Sequence, residues 1–119
     1  LSWTINQHPL FLDELKEFDN DIKLELFAKL KLLEEFGPSL GRPHADTLEG
    51  SKYANMKELR FNASDGVWRV AYAFDPERAA ILLVGGDKSG VSQKRFYKSL
   101  ISKADKRFQE HLSSIKLKV

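Results

Sequence analysis

Cysteine is absent from this 119-residue chain, which removes a disulfide framework, a thiol nucleophile and every cysteine-ligated metal centre. Histidine is scarce. His8, His44 and His111 lie in three separate regions, at no metal-ligand or paired acid/base spacing, so no metal or other cofactor is expected and His44 is expected at the surface. Long apolar runs are missing as well. The longest, Ala79 to Val84, is far too short to span a bilayer, and the opening Leu1-Ser2-Trp3-Thr4-Ile5 has no basic leader ahead of an apolar stretch. A soluble cytoplasmic protein with no membrane partner is expected. The seven glycines and four prolines form no repeat and no low-complexity tail. Gly85-Gly86-Asp87 lacks the spacing and the lysine-serine step of a phosphate-binding glycine loop.

What is present suffices for one modest core. An apolar fraction of 42% over 119 residues leaves no obvious room for a second unit, so residues 1–119 are read as a single domain. Nineteen basic residues against seventeen acidic ones give a formal net charge of +2, and any preference for nucleic acid must come from where the charges sit. Acidic side chains crowd the stretch from Asp13 to Glu35, whereas the last third carries Lys88, Lys94, Arg95, Lys98, Lys103, Lys106, Arg107, Lys116 and Lys118. The molecule is expected to be dipolar, with a basic face better suited to a phosphate backbone than to a metal or a sugar.

The spacing of apolar residues predicts an α+β fold: two N-terminal helices, a mostly antiparallel sheet of three or four strands, and a C-terminal helix. Trp3 to Ile5 reads as a short strand. Pro9, tolerated in a first helical turn, together with Leu10, Phe11, Leu15 and Phe18 predicts a helix running to about Phe18. Ile22, Leu26, Leu30 and Leu33, joined by Phe27, form the apolar stripe of a second helix or an extension of the first, with Asn20-Asp21 as the break. Gly37-Pro38 ends it. A connection rich in Gly, Pro and polar residues follows from Ser39 to Ser51, with Leu40 and Leu48 facing the core. The last helix is predicted to start near Ser92 and to bury Phe96, Leu100, Ala104, Phe108, Leu112 and Ile115.

The strands lie between. From Tyr53 to Phe61 the pattern alternates, placing Leu59, Phe61 and Ala63 on one face and Met56, Glu58 and Arg60 on the other. Turn residues from Asn62 to Gly66 precede a second run, in which Trp68, Val70, Tyr72 and Phe74 alternate with Arg69, Ala71 and Ala73. A two-residue turn at Asp65-Gly66 sets Arg60 opposite Ala71, and a four-residue loop sets it opposite Arg69. Both registers put the two arginines on one face, where they repel unless an anion joins them. Asp75 to Arg78 turns the chain into a third strand, Ala79 to Val84, expected to stop at Gly85-Gly86. Asp65, Asp75 and Asp87 sit at turns, where carboxylates cap backbone N–H groups.

Leu48-Glu49-Gly50 leads into the first hairpin strand, and Leu59-Arg60, Trp68-Arg69-Val70, a hydrophobic strand and a Lys/Arg-rich segment follow in that order. In these features the chain resembles the RelE/ParE superfamily of toxins from toxin–antitoxin systems, and is most similar to its HigB or phage Gp49-like branch, over about residues 3 to 112. The resemblance implies a RelE-like fold and the toxin of a type II toxin–antitoxin system. It implies a ribosome-dependent endoribonuclease, an mRNA interferase that cuts messenger RNA in the A site by metal-independent 2′-hydroxyl attack and so inhibits translation. The implied partners are a cognate antitoxin, in a toxin–antitoxin heterotetramer, and the ribosome with its mRNA. Two alternatives stay open: a ParE-like inhibitor of DNA gyrase, and a degenerate member that only binds its antitoxin. The second arises because Gly85 to Gly90 stands where the branch carries a lysine-rich segment led by histidine or phenylalanine. A generic RNA-binding domain would show paired exposed aromatics, which this chain lacks.

The implied cleavage needs a proton acceptor, a proton donor and positive charge around a pentavalent phosphate. The catalytic candidates are Arg69, Arg60, Lys94, Arg95 and Tyr97. Arg69 sits mid-strand beside small Ala71 and Ala73, which would leave its guanidinium open to a phosphate. Arg60 offers the same fork of donors, or a salt bridge to Glu58. Lys94 and Arg95 open the last helix, where cations oppose the helix dipole unless a phosphate offsets them. Tyr97 can donate or accept a proton or stack on a base. Lys57, Lys88 and Lys98 are the RNA-binding candidates, although the parity of Lys57 with Leu59 and Phe61 turns it away from the arginine face.

Overall fold

The computed structural model describes residues 2–116, so Leu1 and Lys118 lie outside the described residues. The elements run β1 (Ile5–Gln7), α1 (Pro9–Lys16), α2 (Asn20–Phe36), a 3-10 turn (Gly37–Ser39), β2 (Ala45–Thr47), β3 (Lys57–Ala63), β4 (Gly66–Phe74), β5 (Ala80–Asp87) and α3 (Gln93–Lys116). All strands join one sheet in the order β1-β5-β4-β3-β2. β1 runs parallel to β5, and every other neighbouring pair is antiparallel. This is the α+β architecture expected, with both N-terminal helices and the C-terminal one.

The sheet differs from expectation in extent. It has five strands rather than three or four, because the connection after Ser39 is not all loop: Ala45–Thr47 pairs with the outer edge of β3 and buries Ala45. The first strand is Ile5–Gln7 rather than Trp3 to Ile5, its extent set by pairing with Ala80, Ile81 and Leu82. β3 starts at Lys57 rather than Tyr53. β5 does not stop at Gly85-Gly86, since both glycines pair with β4, opposite Val70 and Arg69. A ladder needs backbone groups, not side chains.

Alternation along the strands sorts side chains into two cores, one on each face of the sheet. Leu59, Phe61, Val70, Tyr72 and Leu82 pack with Phe11 of α1 and with Ile22, Leu26 and Leu33 of α2. Ala71, Ala73, Ile81 and Leu83 pack with Phe96, Leu100, Ala104 and Phe108 of α3. β5 is apolar on both faces because helices cover both. Phe27 does not join the α2 stripe: it is 45% exposed, on the solvent side of a helix whose core contact is complete with Leu26, Leu30 and Leu33. Among the described residues, no helix is long and apolar enough to cross a membrane.

Polar contacts lock α3 onto the sheet and the N-terminal layer. Arg107 donates from Nη1 and Nη2 to the two Glu14 oxygens at 2.8 and 2.7 Å, and from Nη1 to the Leu83 carbonyl at 2.9 Å. Those hydrogen bonds hold the Glu14 carboxyl below its ordinary range. His111 Nε2 meets Asp75 Oδ2 at 2.7 Å, and His8 Nε2 meets Glu110 Oε1 at 2.9 Å. His8 also caps α1, its Nδ1 accepting from the Leu10 N–H. His8 and His111 therefore act as structural links between layers.

Gly37 closes α2 with φ of +56° and its N–H on the Leu33 carbonyl. A methyl group there would fall inside the Trp3 indole. That ring has little freedom to move, edge-on to Phe74 with centroids 5.4 Å apart and 4.9 Å from the Arg78 guanidinium. Gly37→Ala is expected to destabilise the fold by about 1–3 kcal/mol from backbone strain alone. The change should appear as a lower urea midpoint with an unchanged slope, and an unchanged midpoint would refute it.

Candidate functional site

The site begins with the hairpin. Ser64 and Asp65 have φ of +49° and +60°, the backbone of a tight two-residue turn that matches strand twist. Ala63 pairs with Gly66, and Arg60 pairs directly with Arg69. This is the second of the two registers considered, reached with a tighter turn than the four-residue loop. Two guanidinium groups thus project from adjacent strands on the α3 face.

The anion that joins them is internal. Glu58, two residues before Arg60 on the same face, is only 3% exposed. Its Oε2 accepts from Arg60 Nη1 at 2.7 Å, and its Oε1 accepts from the Tyr97 hydroxyl at 2.9 Å. Arg69 Nε lies 3.8 Å from Glu58 Oε1 and donates to the Tyr97 hydroxyl at 3.2 Å, while its Nη1 donates to the Trp68 carbonyl at 2.9 Å. One carboxylate, one phenol and two guanidinium groups form a single hydrogen-bonded cluster. Burial, then the Glu58 hydrogen bond, raises the Tyr97 phenol above its ordinary value, so it stays protonated at neutral pH and can act as a donor.

Arg69 is not open as its small neighbours suggested. It is 6% exposed, because the space above Ala71 and Ala73 is filled by α3 and Tyr97 bonds its guanidinium. Arg60 is the more accessible of the pair. It lies between two open grooves: one of about 590 Å³, with Glu58, Lys94 and Tyr97 in its wall, and one of about 510 Å³, with Lys29, Asn62 and Arg69 in its wall.

Lys88 lies within the electrostatic influence of the same cluster. β5 continues through the glycine pair to Asp87, whose Oδ1 accepts from the Val67 and Ser89 N–H groups, and the Lys88 N–H then bonds the Val67 carbonyl. Partial burial, then Arg69 and Arg60, lowers the Lys88 ammonium below its ordinary value.

The other candidates are dispersed. Arg95 is exposed and lines a separate cavity on the far flank of α3. Lys98 is exposed on α3 and lines neither groove. Lys57 pairs with Tyr72 and faces away from Glu58, as its parity predicts. His44 is half-buried rather than superficial. Its carbonyl accepts from the Arg60 N–H at 2.9 Å, and its Nδ1 meets Lys29 Nζ at 2.9 Å. In the sequence Glu58 stands out only as a salt-bridge partner for Arg60, through the strand parity the two share. Among the described residues no three or more His, Asp or Glu side chains are grouped to hold a metal ion.

Replacing Glu58 by its neutral isostere leaves the opposed arginines uncompensated. Glu58→Gln is expected to cost about 3 kcal/mol and to gain more thermal stability from millimolar phosphate than the wild type does, as phosphate takes the vacated charge position. Equal responses in a melting series would exclude an anion position here. Lys88→Met is expected to raise the melting temperature at neutral pH by removing a partly desolvated charge and its repulsion from Arg69 and Arg60. A lysine whose folded pKa lies below the ordinary 10.5 destabilises the fold while charged, and that cost disappears as pH rises toward 10.5. The variant's advantage should therefore close in that window, and a pH-independent gain would point to packing instead.

Comparison with known proteins places the chain in a family. The family described as phage derived protein Gp49-like matches residues 13–109. Two curated proteins of Mycobacterium tuberculosis, each named as a candidate toxin, are similar: HigB2 at 42% identity over 100 residues and HigB3 at 45% over 96. The matches cover 83% and 81% of this chain, which spans 49% of HigB2, about half its length, and 82% of HigB3. A solved structure of an E. coli RelE toxin mutant in the free state shares the fold, with a TM-score of 0.61 at 15% identity over 87% of this chain and 97% of that one. The chain belongs to the phage-derived Gp49-like family, close to HigB within the RelE/ParE toxin superfamily.

Proposed function

We propose that this protein is the toxin of a type II toxin–antitoxin pair and cleaves messenger RNA in the ribosomal A site. The observation that carries the reading is the buried Glu58 carboxylate shared by Arg60, Tyr97 and, at longer range, Arg69. A base, an acid and two cations meet there, the set of groups that in-line cleavage of an RNA backbone uses once the phosphate parts Glu58 from Tyr97. The names of the relatives support a toxin, and a cognate antitoxin, bound in a heterotetramer, is the partner proposed.

Glu58 takes the proton of the 2′-hydroxyl as that oxygen attacks the adjacent phosphorus. The bond from phosphorus to the 5′-oxygen breaks, and Tyr97 delivers its phenolic proton to the departing oxygen. Arg60 and Arg69 meet the negative charge on the pentavalent phosphate, with Lys88 and Lys94 along its approach. The products are a 2′,3′-cyclic phosphate and a 5′-hydroxyl end. Dependence on the ribosome follows from the closed cluster. Both Glu58 oxygens are occupied in the free protein, so a phosphate must displace a partner. A strand gripped in the A site supplies binding energy for that from contacts away from the reacting atoms.

Primer-extension mapping of mRNA 5′ ends in a reconstituted translation reaction tests the reading. New cuts at A-site codons should require ribosomes. Arg69→Gln should lower cleavage by about 10²–10³-fold and Tyr97→Phe by about 10²-fold or more, with circular dichroism confirming that each variant is folded. Intact message accompanied by gyrase-dependent DNA breaks would overturn the proposal in favour of gyrase inhibition. Intact message with neither effect would favour a degenerate antitoxin binder.

A further inference from the structure

The flank of α3 opposite Tyr97 carries a second concave site that the chemistry above does not use. The ladder between β1 and β5 ends at Leu82, and the next carbonyl, of Leu83, is taken by Arg107 Nη1 at 2.9 Å. From Val84 to Asp87 the outer edge of β5 has no strand beside it among the described residues. A cavity of about 310 Å³ opens along this edge, at the small end of the range for ligand pockets. Its floor is apolar, made by Val84, Phe96 and Leu100, and the Gly85-Gly86 pair leaves the strand backbone bare. Arg95, Ser99 and Lys103, on successive turns of α3, form a polar and basic rim.

We propose that this cavity binds one nucleotide of the RNA strand, across the first turns of α3 from the phosphate held by Arg60 and Arg69. The inference rests on the RNA-cleavage reading. The base lies on the apolar floor with its hydrogen-bonding edge toward the bare β5 backbone, and its phosphate sits between Arg95 and Lys103. A flat heteroaromatic ring bearing a charged group is the chemistry that an apolar floor, an exposed peptide edge and two cations select together.

Two features connect the cavity with the cluster. Gly86 pairs with Arg69 across β4 and β5, so the floor and the phosphate clamp are adjacent positions of one sheet. The first turns of α3 form a shared wall: Lys94 and Tyr97 line the Glu58 groove, whereas Arg95 and Phe96 line the cavity. Gly86 also lets that wall approach, since a Cβ there would stand 3.0 Å from Phe96 Cε1. A peptide strand added to the same edge is the less favoured occupant. Only Val84 to Asp87 is free, fewer residues than the five or so of an ordinary strand, and the glycine pair provides no side-chain pockets.

The test is a titration of ¹⁵N-labelled protein with the adenosine, guanosine, cytidine and uridine 5′-monophosphates, following the Gly85, Gly86 and Ser99 amides. Saturable shifts with at least one nucleotide are expected. Affinity should fall at least tenfold in Ser99→Phe, which fills the cavity from an exposed helix position and leaves the fold intact. An equal response to inorganic phosphate alone, a response only to the peptide Glu-Val-Glu-Val, shifts confined to the Arg60–Arg69 cluster, or unchanged binding by Ser99→Phe would each overturn the proposal. Binding is read separately from cleavage. A protein that cuts RNA without these shifts loses the cavity alone, and one that shows them without cutting keeps a nucleotide site while losing the nuclease reading.

Discussion

Two guanidinium groups directly opposed on neighbouring strands repel each other, and the repulsion grows as water is excluded. In this molecule Glu58 stands between that repulsion and the hairpin. It shares a strand and a face with Arg60, Arg69 lies across the ladder from Arg60, and the Tyr97 phenol arrives from α3. The carboxylate thereby ties β3, β4 and α3 at one point. It is also a chemical likeness of a phosphate: an oxyanion that accepts from a guanidinium and a hydroxyl together. A scaffold arranged around it holds both guanidinium groups in fixed positions, and on the proposed reading an incoming phosphate would take over donors that are already oriented.

The same helix serves core and site. α3 supplies Phe96, Leu100, Ala104 and Phe108 to the sheet, Tyr97 to the cluster, and Arg107, Glu110 and His111 to partners on or beside α1 and β4. Its close approach depends on Ala71 and Ala73, which present no bulk between β4 and the helix. Asp87 does similar work for the preceding loop. One carboxylate oxygen collects N–H groups from β4 and from the loop, which sets the course of the chain past Lys88. Site geometry is consequently inherited from packing, and the titrating groups cannot be moved without moving core side chains.

Much of this was legible in the chain. Helical spacing located α2 and α3 and most of their core stripes, the exceptions being Phe27, which is exposed, and Ile115, which is half-buried near the helix end and outside the core, and period-two alternation put Arg60 and Arg69 on a common face. Asp75 and Asp87 cap backbone N–H groups at turns, as their turn positions suggest. What escaped depends on long-range partners. Three-residue β2 has too few positions to show alternation and exists only because β3 offers it an edge. Ala71 and Ala73 suggested open space above Arg69, but small residues signal an approach by something, and a local pattern does not say whether it is ligand or helix. Glu58 announced itself only by parity. Its second partner, Tyr97, is 39 residues away in sequence.

Sheet edges have a consequence of their own. An exposed strand margin is a template on which other chains can add, and long flat margins invite polymerisation. Here the outermost strands are only three residues each. The longer strand that β1 leaves partly uncovered is interrupted at Leu83, where a guanidinium rather than a backbone donor takes the carbonyl. Such margins are poor seeds for sheet growth between copies, so the isolated molecule is protected against self-templated aggregation by its own architecture.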